Sequence, residues 1–138
     1  MSKLHLKVIT PRKIVVDEDV KSVTVPAESG EITVLPHHIR LFSLLVEGIV
    51  VIRKENGEDS LAIGGGYLET DGETIKILVS RAYGQDEIDQ ELTNKAVEKA
   101  KQILTQSKDE NERAEAMTIL RRSVIDSKLL KRRKNRSL

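Results

Sequence analysis

A chain of 138 residues accommodates one domain, or one domain with an extension. It has no cysteine, which excludes disulfides and thiolate metal sites and suits a reducing compartment. Its formal charge of +1 hides an uneven split: residues 1–84 carry ten Lys/Arg against twelve Asp/Glu, and residues 85–138 carry thirteen against ten. No apolar run approaches the ~20 residues that cross a bilayer. Residues 1–6 lack the apolar centre of a signal peptide, so a cytoplasmic protein is expected.

Leu4, Leu6 and Val8 alternate with Lys3, His5 and Lys7, which predicts a first strand with one wet face. Residues 14–16 and 20–25 predict two more strands, the second stopped by Pro26. Glu28, Ser29, Gly30 and Glu31 read as an exposed acidic turn, and residues 32–35 as a strand stopped by Pro36. Residues 41–45 and 49–52 flank Glu47-Gly48. Asn56-Gly57 signals a type I′ hairpin before the strand at 61–63, and Asp71-Gly72 a second hairpin between 67–70 and 74–79. Short strands at this spacing predict an antiparallel sandwich or barrel. Aromatic residues make up 2% of the chain, so Val, Ile and Leu must fill its core.

The period changes near Tyr83-Gly84, after which Gly and Pro disappear. Asp86 and Asp89 suit a helix N-terminus. Leu92, Ala96, Val97, Ala100, Ile103 and Leu104 form one stripe, and residues 106–108 interrupt it. Asp109 and Glu112 have capping-box spacing for a second helix with Ala114, Met117, Leu120, Val124 and Leu129-Leu130 as its apolar positions. The expected class is α+β: a β-sandwich over residues 1–84, then an αα-hairpin over 85–138 with a frayed basic end. With several alanines in its seam, the hairpin gains about 1 kcal/mol per facing side chain. Ordering costs about 1.5 kcal/mol per residue. It is expected to lean on the sandwich or on another protein and to exchange between them.

Three motifs invite chemistry. Gly64-Gly65-Gly66 has neither the spacing of a dinucleotide loop nor a following Gly-Lys-Ser/Thr, and a strand follows it, so a bulge or close backbone approach is expected. His37 and His38 are adjacent, and adjacent residues on extended backbone point apart, which favours a loop contact over a metal site. Residues 120–138 carry eight basic side chains and one acid, Asp126. Such a run can bind nucleic acid. That half of the chain has no aromatic stacking platform and no recognisable reading motif, which leaves a solvated tail or some acidic partner. No Ser-His-Asp arrangement or pocketed carboxylate pair emerges.

Three segments in order carry a resemblance: residues 25–38 (VPAESGEITVLPHH), residues 62–69 (AIGGGYLE) and the opening residues 8–11 (VITP). Together with the helical tail they resemble the epsilon subunit of F-type ATP synthases over essentially the whole chain. The resemblance implies a non-catalytic central-stalk subunit of a proton-translocating synthase, peripheral to the cytoplasmic face of the cell membrane. Its sandwich would bind the gamma subunit and sit on the c-ring through a loop region containing Glu28, Ser29, Gly30, Glu31, His37 and His38. Its helices would extend along gamma toward an acidic loop of the beta subunits and block ATP hydrolysis, with Arg121, Arg122 and Lys128 as contacts. The chain departs from the family at Thr33 and His37, where Gly is usual, and at Arg40, where Pro is usual. Some members bind ATP at the first helix through Ile/Leu, Asp, two variable residues, Arg and Ala. Here Ile88 and Asp89 match, but Leu92 and Thr93 replace the Arg and Ala, and Leu cannot donate to phosphate. No cofactor and no metal are expected. The alternatives are a stand-alone ATP sensor and a basic-tailed nucleic-acid-binding module.

Overall fold

The computed structural model describes residues 3–37 and 40–136, with side chains as far as Arg132. The chain divides into two compact units, Met1–Gly84 and Gln85–Leu138. The first holds β1 (Leu4–Ile9), β2 (Ile14–Val20), β3 (Ser22–Ala27), β4 (Gly30–Val34), β5 (Leu41–Leu45), β6 (Gly48–Lys54), β7 (Gly57–Ile63), β8 (Gly66–Thr70), β9 (Thr74–Val79) and β10 (Ala82–Tyr83). The strand order is β10-β7-β6-β3-β5-β8-β9-β1-β2, with β4 attached to β3. One sheet thus folds over on itself at β3. Residues 22–24 of β3 pair with β6, and Ala27 pairs with Leu45 of β5.

Alternation explains the core. Leu4, Leu6 and Val8 of β1 face Val23, Val25, Val50, Ile52, Leu68, Ile75 and Ile77 in one buried cluster without an aromatic ring. The aliphatic filling follows from composition.

Several boundaries differ from expectation, each for a local reason. β2 runs through Asp17, Glu18 and Asp19, because an edge strand tolerates charge on its wet face. Pro26 does not stop β3. Its carbonyl still accepts the Val46 N–H at 2.9 Å, and only the reciprocal bond is lost, where β5 is ending. Gly48 makes room for that ring: a Cβ there would lie 2.9 Å from Pro26 Cβ and Cγ. The expected four-residue turn shrinks to Glu28-Ser29, since Gly30 and Glu31 already pair with Ala27 and Pro26. At the next hairpin the loop is Glu55-Asn56, not Asn56-Gly57. In both hairpins the glycine follows the loop with positive φ, 123° at Gly30 and 147° at Gly57. β10 was not anticipated, and β1 pairs with β9 in parallel.

His37 has φ 63°, the one non-glycine residue with positive φ among those described, and its N–H donates to the Gly72 carbonyl at 2.8 Å. A left-handed backbone of this kind favours glycine. Replacing His37 with Gly should raise stability by about 0.5–1 kcal/mol in urea titration. A lower midpoint would show that the imidazole contributes more than the left-handed conformation costs. Thr33 is accommodated in a different way. Its hydroxyl lies 2.8 Å from the Thr24 hydroxyl, which accepts from Arg53 Nη1 at 2.8 Å.

The second unit holds a 3₁₀ turn (Gln85–Glu87), α1 (Gln90–Gln106) and α2 (Glu110–Arg136), with the two helices packed together. Asp89 caps α1 by accepting the Leu92 N–H at 3.1 Å. The capping box at α2 is only half formed. Asp109 accepts from the Asn111 N–H, whereas Glu112 receives the Ser107 hydroxyl at 2.5 Å. Ser107 Oγ in turn accepts the Asp109 N–H. Arg113 Nη1 reaches the Leu104 carbonyl at 2.5 Å and so satisfies the end of α1 from α2. The seam keeps Ala100 and Leu129 from the expected stripe and adds Ala116. Ala100, Ala116 and Leu129 are buried, whereas Leu92, Ala114, Met117 and Val124 are exposed. Alanine at 116 permits a close approach that a search for large apolar residues overlooks. The backbone of α2 stays helical to Arg136 where a frayed end was expected.

Candidate docking surfaces

The loop residues of the sandwich come first. Glu28, Ser29, Gly30 and Glu31 form the exposed β3–β4 tip. The tip is held from below by the Glu28 N–H, which donates to the Leu44 carbonyl at 3.0 Å. His37 lies beyond the other end of β4, tied to the β8–β9 turn. The length of β4, on the order of 15 Å, therefore separates it from the acidic tip. His38 lies outside the described residues. In the β8–β9 turn the Asp71 carboxylate accepts the Thr74 and Glu73 N–H groups at 2.8 and 2.9 Å, and these bonds hold its pKa below the usual carboxylate value.

The register of five strands builds a surface that the sequence reading missed. Leu44 pairs with Tyr67, Tyr67 with Leu78, Leu78 with Ile9, and Ile9 with Ile14. Paired residues share a face. These five apolar side chains therefore form one row across the outside of the sheet. Its ends are open, with Leu44 54% and Ile14 55% exposed. Phe42, 60% exposed, stacks on Tyr67 with ring centroids 5.2 Å apart, and exposed Val46 extends the patch along β5. The neighbouring row is charged: Glu69 pairs with Lys76, Lys76 with Lys7, and Lys7 with Asp17. An exposed apolar row beside a polar border has the makeup of an interaction surface. Leu41, Phe42, Leu44, Leu45 and Val46 did carry a signal, because a strand apolar on both faces is covered on both.

In the helical unit, Ile88 is half-buried and its N–H donates to the Gln85 carbonyl at 3.1 Å. Asp89 spends its carboxylate on the cap, and the Leu92 side chain is 63% exposed. Gln85 Nε2 donates to the Leu129 carbonyl at 2.8 Å, which fixes the start of the unit to α2. Arg121, Arg122 and Lys128 are all exposed. Ala114, Met117, Arg121, Val124 and Lys128 recur at alternating steps of three and four, so they line one face of α2. That face alternates apolar and basic groups. Among the described residues no His/Cys/Asp/Glu cluster could hold a metal, and no helix is long and apolar enough to cross a membrane.

An apolar row on a sandwich and a basic-apolar stripe on a helical hairpin describe a protein built to be held by neighbours. Residues 3–85 match the family model for the ATP synthase delta/epsilon chain beta-sandwich domain. The chain is 39% identical over 105 residues to the ATP synthase epsilon chain of Sulfurovum sp. (strain NBC37-1), covering 75% of this chain and 81% of that one. It is 35% identical over 125 residues to the epsilon chain of Moorella thermoacetica, covering 90% and 93%. Among solved structures it superposes on a chain of the Euglena gracilis mitochondrial ATP synthase (OSCP/F1/c-ring, rotational state 1). That match has a TM-score of 0.76 and 28% identity, and covers 87% of this chain and 76% of that one. A chain of the Tetrahymena thermophila mitochondrial ATP synthase central stalk and c-ring shares the fold, with a TM-score of 0.58 at 13% identity over 91% of this chain and 95% of that one. The chain belongs to the ATP synthase delta/epsilon family, and the curated relatives above are epsilon chains.

Proposed function

We propose that the chain is a non-catalytic rotor subunit of a proton-translocating F-type ATP synthase, peripheral to the cytoplasmic face of the cell membrane. The observation that carries this reading is the match to an epsilon chain over 90% of the residues, hairpin included. The sandwich docks on gamma through the Leu44–Tyr67–Leu78–Ile9–Ile14 row, because a lasting interface buries apolar area. The acidic β3–β4 tip, with Glu28, Ser29, Gly30 and Glu31, faces the c-ring; His37, at the other end of β4, is not part of that tip.

The hairpin restrains ATP hydrolysis. Arg121, Arg122 and Lys128 face an acidic element of the beta subunits, and salt screens that attraction within about 8–10 Å. The arm works without a nucleotide of its own. Asp89 is engaged in capping, and Leu92 offers phosphate no donor.

The test is hydrolysis by the cognate alpha-beta-gamma assembly. The full chain should suppress it, and a chain ending at Gln85 should bind without suppressing. Replacing Arg121, Arg122 and Lys128 together by Ala should restore most of the lost rate, and high salt should do the same. ATP added to the isolated chain should give no binding heat. Equal suppression by the full and shortened chains would remove the arm from the mechanism. Failure of both to bind would remove the rotor reading.

A further inference from the structure

Among the described residues the edge strand β2 pairs in the sheet with β1 alone, and Glu18 adds an ion pair to Lys54 of β6 at 2.7 Å. On the outer face of β1 and β2 His5 pairs with Asp19, and Lys7 with Asp17. His5 Nδ1 lies 2.8 Å from Asp19 Oδ1, and His5 Nε2 lies 2.6 Å from Asp17 Oδ1. A neutral imidazole has one N–H and one lone pair. With either tautomer, a lone pair would face a carboxylate oxygen at hydrogen-bond distance. Only the imidazolium supplies a donor to both.

We propose that His5, Asp17 and Asp19 form a protonation-gated clasp that fastens the edge strand β2 to β1 and loosens when the imidazolium loses its proton. The hydrogen bonds that His5 donates to Asp19 and then to Asp17 raise its pKa above 6.5, against a smaller opposing effect of desolvation. The other groups on this face are Lys3 just before β1, Lys7 on β1, and Thr74 and Lys76 on β9. Glu73 precedes β9, and its carbonyl accepts the His5 N–H at 2.9 Å. Because the folded pKa is raised, the contribution is complete below the unfolded value near 6.5. It disappears as pH rises through the folded value. The cluster is open to solvent, so the effect is local: β2 opens while the core behind it stays closed.

Histidine ¹⁵N NMR on the full chain tests this. Both His5 ring nitrogens should keep imidazolium shifts beyond pH 6.5, and the midpoint should fall in the Asp17→Asn and Asp19→Asn variants. Amide exchange in β2, corrected for its intrinsic rate, should accelerate across that midpoint. The acceleration should be about tenfold for each pKa unit gained on folding. In His5→Gln the step should be missing. A His5 midpoint at or below 6.5, or β2 protection that stays flat across the midpoint, would overturn the clasp.

Discussion

Changing Gly66 to Ala should cost the sandwich about 3 kcal/mol or more, the upper end for overpacking. A Cβ at this position would lie 2.0 Å from the Leu78 carbonyl oxygen, 2.8 Å from Val79 Cα and 2.9 Å from the Leu78 carbonyl carbon. All three are backbone atoms of β9, which is held between β8 and β1, so none can withdraw without opening a ladder. The neighbouring glycines provide graded controls. At Gly65 the nearest atom would be the Leu45 carbonyl oxygen at 3.6 Å, an ordinary contact, so Gly65→Ala should stay within about 0.5 kcal/mol of the parent. At Gly64 the obstacles include Ser80 Oγ and Arg81 Nη1, side-chain ends with some freedom to move. Thermal melting of the three variants checks the ranking. A Gly66→Ala protein that melts with the parent would show that the β8–β9 approach is looser than described. The triple glycine that first suggests a phosphate loop is thus a packing device with one strict position.

Leu44→Asp should weaken binding to gamma by about 30-fold or more while leaving the free chain's melting temperature within a few degrees of the parent. The two effects separate because Leu44 is 54% exposed and contributes nothing to the buried cluster. In the proposed interface it sits at the β5 end of the row, between Val46 and the Phe42–Tyr67 stack, and truncating a hot-spot residue typically costs about 2 kcal/mol or more. A carboxylate there must also lose its water without gaining a partner. Unchanged affinity would move the gamma contact off this row. A large drop in melting temperature would mean that Leu44 supports the fold itself.

Local pattern made much of the sandwich legible. Alternation marked Leu4, Leu6 and Val8 correctly, and Asp71-Gly72 marked the β8–β9 connection. What escaped was set by neighbours distant in the chain. The acidic stretch at Asp17–Asp19 looks like a loop until β1 supplies a histidine opposite it. Pro26 looks like a stop until the strand beside it is seen to be ending. In α2 the 3-4 spacing marked Leu129 but not Ala116, and only the folded hairpin shows Ala116 buried with Met117 and Val124 exposed. The docking row was least visible, since its members come from five strands and align only through register. Arg121, Arg122 and Lys128 were recognisable as a charge run. The alternation of Arg121 and Lys128 with Met117 and Val124 along one exposed face required the helix to be in view.

The parallel pairing of β1 with β9 has a further consequence, for biosynthesis. Leu6 lies beside Ile75, about 70 residues later in the chain. At 5–20 residues per second a ribosome takes roughly 3–14 s to make that span. During that interval β1 can hold β2 on one side, but its other edge and its apolar face have no partner. The first strand to leave the ribosome is therefore among the last to be enclosed, and the nascent chain exposes a hydrophobic strand edge until the eighth and ninth strands emerge.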